Sequence, residues 1–257
     1  MGFFVVYKTP GGQYSVIYKK LLNVGHLLIA GSQGSGKSTV ITSMIHTAIL
    51  DSPIAIGFVL IDTKRVSMFE YKNLPHTIYY ATEQKQIADV LRSVVSLMES
   101  RFKQMERRGI KEYDGSRIYV IIDDLADLMT TNKRLYSLYI QQIAQGGRAA
   151  HITIIAATQS TLRTVIDTSI KVNFTSRLAL RTATKQDSRN IIEVVGAETL
   201  PDPKSTGKAY GILRVGADTD CYVLPRYEDS ERQRLIDFWK KNGKPKHHFS
   251  LFGKKYS

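Results

Sequence analysis

Residues Gly31–Ser38 read GSQGSGKS and satisfy G-x-x-x-x-G-K-[S/T] in full. They lie directly after a short apolar run, His26–Ala30 (HLLIA), and directly before a helical pattern, Ser38–Leu50. A strand, a glycine-rich turn and a helix in that order let backbone N–H groups converge on an anion, and the helix N-terminus adds partial positive charge. Gly36 leaves no β-carbon where a phosphate would come closest. The candidate nucleotide-binding set is therefore Gly31, Ser32, Gln33, Gly34, Ser35, Gly36, Lys37, Ser38 and Thr39. Lys37 is expected to reach the β- and γ-phosphates, and the Ser38 hydroxyl to complete the shell of a Mg²⁺ ion. An incidental glycine turn would not need this strand–loop–helix setting.

Further apolar runs follow at Ile54–Ile61, Ile118–Ile122 and Ile152–Ala157. They are short, rich in β-branched residues and apolar on both faces, as strands covered on both sides must be. Arg177–Arg181 (RLALR) alternates and reads as closer to a sheet edge. Ile87, Val90, Leu91, Val94, Val95, Met98, Phe102 and Met105 recur at helical spacing, giving one long amphipathic helix that should end near Gly109. Leu135–Gln145 is another helix, expected to end or bend at Gly146-Gly147. Strands alternating with helices predict an α/β fold: a mostly parallel sheet with helices on both faces. Phe3–Tyr18 reads as a hairpin around Pro10-Gly11-Gly12, and Ala209–Val215 with Cys221–Leu224 as a second strand pair. One domain spans 1–239, with 1–25 as hairpin and lead-in. The segment 240–257 is a basic tail with six lysines, two histidines and no acid.

A phosphate loop needs a carboxylate on a nearby strand to hold its metal. Asp123, the first acid after Ile118–Ile122, is the metal-side candidate. Asp124 is the candidate general base for an attacking water. Adjacent strand residues face opposite ways, so both serve one site only if the chain leaves the strand there. The bland alternative is an acidic turn capping a helix from Leu125. Thr158-Gln159 ends the next strand, where Gln159 is placed to touch a γ-phosphate.

Lys plus Arg exceed Asp plus Glu by 36 − 23 = 13, and the pI is near 9.7. That surplus points to a polyanionic partner, nucleic acid or an acidic membrane surface. No apolar run approaches the roughly 20 residues of a membrane-spanning helix. Residues 1–6 lack a signal-peptide pattern. The single cysteine, Cys221, excludes an internal disulfide or a cysteine metal site, and reads as a buried structural thiol. These features predict a cytoplasmic protein.

HLLIAGSQGSGKS, IIDDLADLM, GGRAAHITIIAATQ, TKQDSR and VGAETL, in this order, resemble the FtsK/SpoIIIE family of DNA translocases, from about Tyr7 to the helix with Phe238 and Trp239. The resemblance implies a RecA-like P-loop NTPase domain that uses ATP and Mg²⁺ and works as a homo-hexameric ring around double-stranded DNA. It also implies ATP at subunit interfaces, with a neighbour's arginine on the γ-phosphate. Arg148 falls at the family's Arg-Ala-Ala motif and Arg177 at a second recurrent arginine. Either is the trans-acting finger or an internal sensor, with Arg148 preferred. Lys133 and Arg134 follow the acidic strand where the family has a lysine-rich turn, Lys171 matches another family lysine, and Arg163 lies nearby. These four are the candidate DNA contacts.

Three departures stand out. The family's Asp-Glu is Asp123-Asp124 here, so the shorter Asp124 must be carried closer by the backbone, hydrolysis must be slow, or Asp127 must take over. Thr-Gln-Arg-Pro reads Thr-Gln-Ser-Thr, which affects the loop after Gln159. Membrane-anchor and winged-helix segments do not appear in the sequence, so the chain is expected to be a minimal motor of plasmid, phage or conjugative origin, or an excised domain. The sequence also fits two other readings: a protein-export ATPase like those of type VII secretion, and a nucleotide-binding ring subunit that hydrolyses little.

Overall fold

The computed structural model describes residues 14–159, 171–243, 245, 250–251 and 254–255. Its central feature is an eight-stranded sheet in the order β3-β2-β4-β5-β1-β6-β7-β8. The strands are β1 (Leu27–Ala30), β2 (Ile56–Ile61), β3 (Thr77–Ala81), β4 (Arg117–Ile122), β5 (Ile152–Thr158), β6 (Ser176–Leu180), β7 (Ala209–Val215) and β8 (Asp218–Leu224). From β3 through β6 neighbouring strands are parallel, whereas β7 and β8 add an antiparallel pair.

Alternate residues of the same strands feed two separate cores, which explains why the strands read as unbroken apolar runs. Leu27, Ile29, Phe58, Leu60, Ile121 and Ile155 pack on one face with α1 (Tyr14–Asn23) and α2 (Lys37–Asp51). Leu28, Val59, Ile61, Val120, Ile122 and Ile154 pack on the other with α3 (Gln84–Arg108) and α4 (Leu125–Gly146). A smaller cluster seats α5 (Lys185–Ile192) against Ala30 and Ala179. The short α6 (Pro203–Thr206) and α7 (Asp229–Asn242) complete the described helices.

Local chemistry sets the helix ends. A capping box between Glu83 and Gln86 opens α3, and Gly109 closes it at φ 64°, as its position required. Asn132 breaks α4 at φ −153°, and its carboxamide oxygen accepts from the Leu135 amide, so a second helix begins there. Helix α4 ends at Gly146, and the next position takes glycine because a β-carbon on Gly147 would lie 2.5 Å from the carbonyls of Ile143 and Ile152.

Four expectations need correction. Residues 14–23 form a helix with Ile17, Tyr18, Leu21 and Leu22 buried, so the second arm of the expected N-terminal hairpin is not a strand. Its first arm and its turn lie outside the described residues. Strand β6 is interior, flanked by β1 and β7; its alternation reflects arginines that reach carbonyls and acids at its ends. Cys221 is free but only half-buried. The expected tail begins inside α7, which runs to Asn242, and Ser250–Leu251 pairs antiparallel with Lys254–Lys255. Strand β3 was not foreseen, because TIYYA mixes buried and half-buried positions without a clean period.

Candidate functional site

In a parallel sheet, ligands gather at the carboxyl ends of the strands, and this is where the phosphate loop sits. Gly34 and Gly36 both hold positive φ, 76° and 100°. Any β-carbon on Gly36 would come within 2.8 Å of the Ala209 β-carbon. The loop is tied to the end of β6 by the Ser32 amide, which donates to the Arg181 carbonyl across 2.9 Å. Lys37 curls back and donates to the carbonyls of Gly31 and Ser32, each at 2.7 Å. Burial is the main cause that lowers the Lys37 ammonium to a pKa of about 8, against the opposing pull of Asp124 and Asp123.

Strand β5 lies between β1 and β4, so the loop and the acidic strand end face each other across one intervening strand. Asp123 still joins the ladder, its amide donating to the Ile61 carbonyl at 3.0 Å. The chain then leaves the strand. Asp124 caps α4, with one carboxylate oxygen accepting from the Ala126 amide at 3.2 Å. The capping role, the bland alternative, is thus real, and the charges of Asp123 and Asp124 both act on Lys37 and Lys64. Burial raises the Asp123 pKa, a hydrogen bond from Ser67 lowers it, and the charges of Asp62 and Asp124 raise it again.

Sequence reasoning missed three residues here. Ser67 donates to Asp123 at 3.0 Å and lies 3.4 Å from the Ser38 hydroxyl. Lys64 pairs with Asp124 at 2.7 Å. Asp62, fully buried, accepts from the amides of Met68 and Val66 and from the Tyr80 hydroxyl. The signal was present in the IDTKRVS segment: an acid ends the apolar run of β2 just as Asp123 ends that of β4.

A Mg-nucleotide fits these groups. The Ser38 hydroxyl and the Asp123 carboxylate are hard oxygen donors suited to Mg²⁺, which takes only one or two protein ligands beside phosphate and water. No cluster of three or more His, Cys, Asp or Glu suited to a metal occurs among the described residues. The buried Ser35 hydroxyl inside the loop has no hydrogen-bond partner among the described residues. Beside the loop a cavity of about 340 Å³ is lined by Gln33, Arg181, Thr182, Glu198, Asp202 and Lys204.

The FtsK/SpoIIIE family model matches residues 9–199. The chain belongs to the FtsK/SpoIIIE family. It is 40% identical over 206 residues to the DNA translocase FtsK of Chlorobaculum tepidum, covering 72% of this chain and 26% of that protein. Identity to the DNA translocase FtsK of Caldanaerobacter subterraneus is 35% over 242 residues, covering 89% and 33%. The chain thus spans about a quarter to a third of the length of these relatives. Its fold matches the pCW3 conjugation coupling protein TcpA in monomer form with ATPγS, at a TM-score of 0.72 and 24% identity, covering 85% and 66% of the two chains. It also matches EssC (ATPases 2 and 3) from Geobacillus thermodenitrificans, at a TM-score of 0.71 and 19% identity, covering 87% and 46%.

Other family positions are spread around the sheet. Thr158 is buried at the end of β5 and Gln159 is exposed just beyond it, at the same edge as the loop. Arg148 is exposed in the turn before β5, at the opposite edge. Arg177 is turned to the carbonyls of Phe174 and Ile191 and to Glu193, at 2.8 Å. Neither arginine therefore reaches the phosphate loop of its own chain. Lys133 and Arg134 follow the break at Asn132, and Lys171 donates to the Asn190 carbonyl. Arg163 lies outside the described residues. No described helix is long and apolar enough to cross a membrane.

Proposed function

We propose that this chain is the ATP-hydrolysing motor of a double-stranded DNA translocase, acting in the cytoplasm as a ring of six copies with nucleotide between neighbours. The observation that carries the reading is the convergence of Lys37, Ser38, Asp123 and Asp124 at one sheet edge. The DNA translocase FtsK relative at 40% identity favours DNA as the cargo.

In this reading the loop amides and Lys37 hold the β- and γ-phosphates, and the cavity beside Arg181 and Lys204 takes the nucleoside. Ser38 and Asp123 would hold Mg²⁺, which would supply positive charge against the phosphates. Asp124 accepts the proton of the attacking water, with Asp127 the alternative base one turn further on. Gln159 touches the γ-phosphate. Arg148 of one copy, exposed on the edge away from its own loop, reaches the neighbour's nucleotide. Arg177 serves as the alternative finger only if it first leaves Glu193. Lys133, Arg134, Arg163 and Lys171 meet DNA phosphates, a contact sensitive to salt and indifferent to sequence.

A protein-export role, like that of type VII secretion ATPases, is the second reading. The net charge of +13 weighs against it. ATP turnover measured with and without mixed-sequence duplex DNA separates the two, with Lys37→Ala as the dead control. DNA stimulation of roughly tenfold or more supports the motor. Turnover indifferent to DNA sinks it. Equal rates for wild type, Lys37→Ala and Asp124→Asn would leave a non-hydrolysing ring subunit.

A further inference from the structure

Residues 62–68, between β2 and β3, form a strap that touches both acids of the site. Asp62 anchors it from below, through its bonds from the Met68 amide at 3.0 Å and the Val66 amide at 3.3 Å. Arg65 holds a left-handed φ of 59°, which tightens the turn. From this frame Ser67 reaches Asp123 and Lys64 reaches Asp124.

The Lys64–Asp124 contact is asymmetric. The carboxylate side chain is 8% exposed, whereas the lysine side chain is 45% exposed. One carboxylate oxygen holds the Lys64 ammonium at 2.7 Å, and the other holds the Ala126 amide. Both oxygens thus have a protein donor, which fixes the orientation of the carboxylate. The ammonium is the partner free to move, on a flexible four-carbon stem. Asp123 and Asp127 also bear on Lys64, and Lys64 on Lys37, so it stands close to where the phosphates would lie. With its lysine half-exposed, the pair can be opened by a more highly charged anion that draws the ammonium away.

We propose that Lys64 is a latch on Asp124: it fixes the carboxylate in its helix-capping position until the γ-phosphate of bound ATP draws the ammonium away. Lys64 is then a positioning residue, and it ties release of the base to the presence of a triphosphate. The inference rests on reading Asp124 as the base.

The test uses the intact chain with Lys64→Met, which keeps the stem and removes the charge, and Lys64→Arg, which keeps the charge. Lys64→Met should raise DNA-independent ATP turnover about three- to tenfold, and Lys64→Arg should restore the restraint. In an Asp124→Asn background Lys64→Met should add nothing. The preference of wild type for a non-hydrolysable ATP analogue over ADP, read by fluorescence titration, should narrow roughly threefold in Lys64→Met. Turnover unchanged or lowered in Lys64→Met, or an unaltered preference, overturns the latch. A wild type that neither binds nor hydrolyses ATP overturns instead the motor reading beneath it.

Discussion

Ser67 donates a hydrogen bond to Asp123 across 3.0 Å while its hydroxyl stands 3.4 Å from that of Ser38. A residue from a third strand end thereby links the phosphate loop to the acidic strand. It also fixes which way the Asp123 carboxylate faces. If Asp123 holds magnesium, Asp123→Asn should lower ATP turnover at least about 100-fold. Nucleotide binding measured in EDTA should barely change, and its enhancement by magnesium should vanish. Retained magnesium enhancement in a titration would assign the metal elsewhere.

Nucleotide affinity should weaken as the pH rises through 8. The Lys37 ammonium has a pKa of about 8 with its site desolvated, and phosphate oxygens would raise it. Above pH 8 the free protein has partly lost this proton and must regain it on binding, so affinity falls up to about tenfold per pH unit. Calorimetry at pH 8.5 in buffers of different ionisation enthalpy should register proton uptake. Binding without uptake would mean that Lys37 stays charged throughout.

Gly36→Ala should cost about 2 kcal/mol of stability, from a left-handed φ together with the close approach to Ala209. In a chain of this size that is a fall of roughly 4–8 °C in melting temperature. Gly109→Ala is the matched comparison, because Gly109 has φ +64° but, among the described residues, no atom within 4 Å of an added β-carbon. It should lose about half as much. Equal losses would show that the contact with β7 contributes nothing.

Acid should destabilise the fold through two buried histidines. Burial lowers both His26 and His46 to a pKa of about 4. The His26 Nδ1 accepts from the Ile154 amide, which requires the neutral ring. The unfolded chain takes up these protons near pH 6.5 and the folded one only near 4. Stability is therefore complete at neutral pH and falls as the pH drops through that window, by about 2 kcal/mol per histidine at pH 5. Denaturant unfolding at pH 7 and 5 measures it, and His46→Phe should remove roughly half of the difference.

If Arg148 acts on a neighbour, two inactive variants should rescue each other. Lys37→Ala spoils its own site but keeps Arg148, and Arg148→Ala keeps a sound site. Mixed rings place some intact sites beside an intact arginine. A mixture recovering about a quarter of wild-type turnover would support action in trans. A mixture as inactive as its parts would remove Arg148 from this role.

The parallel sheet, its two covered faces and the phosphate loop were legible in the chain because each rests on local pattern. HLLIA followed by GSQGSGKS needs only neighbouring residues to specify a strand, a turn and a helix. The termination of α3 at Gly109 and the break near Gly146 were legible for the same reason. Helix α1 was not, because Pro10-Gly11-Gly12 suggested a hairpin while the burial of Tyr18 and Leu21 against α2 decided otherwise.

By itself the sequence determined what lies within one strand–loop–helix unit: the glycines, Lys37, Ser38 and the acids that end the apolar runs. Which of these meet was decided only by strand order. Inserting β5 between β1 and β4 carries Asp123 to the phosphate loop, and placing β2 beside β4 brings Lys64 and Ser67, some 60 residues earlier, onto the same acids. The physical reason is that sheet pairing joins segments distant along the chain, and no local periodicity records the partner a strand will choose.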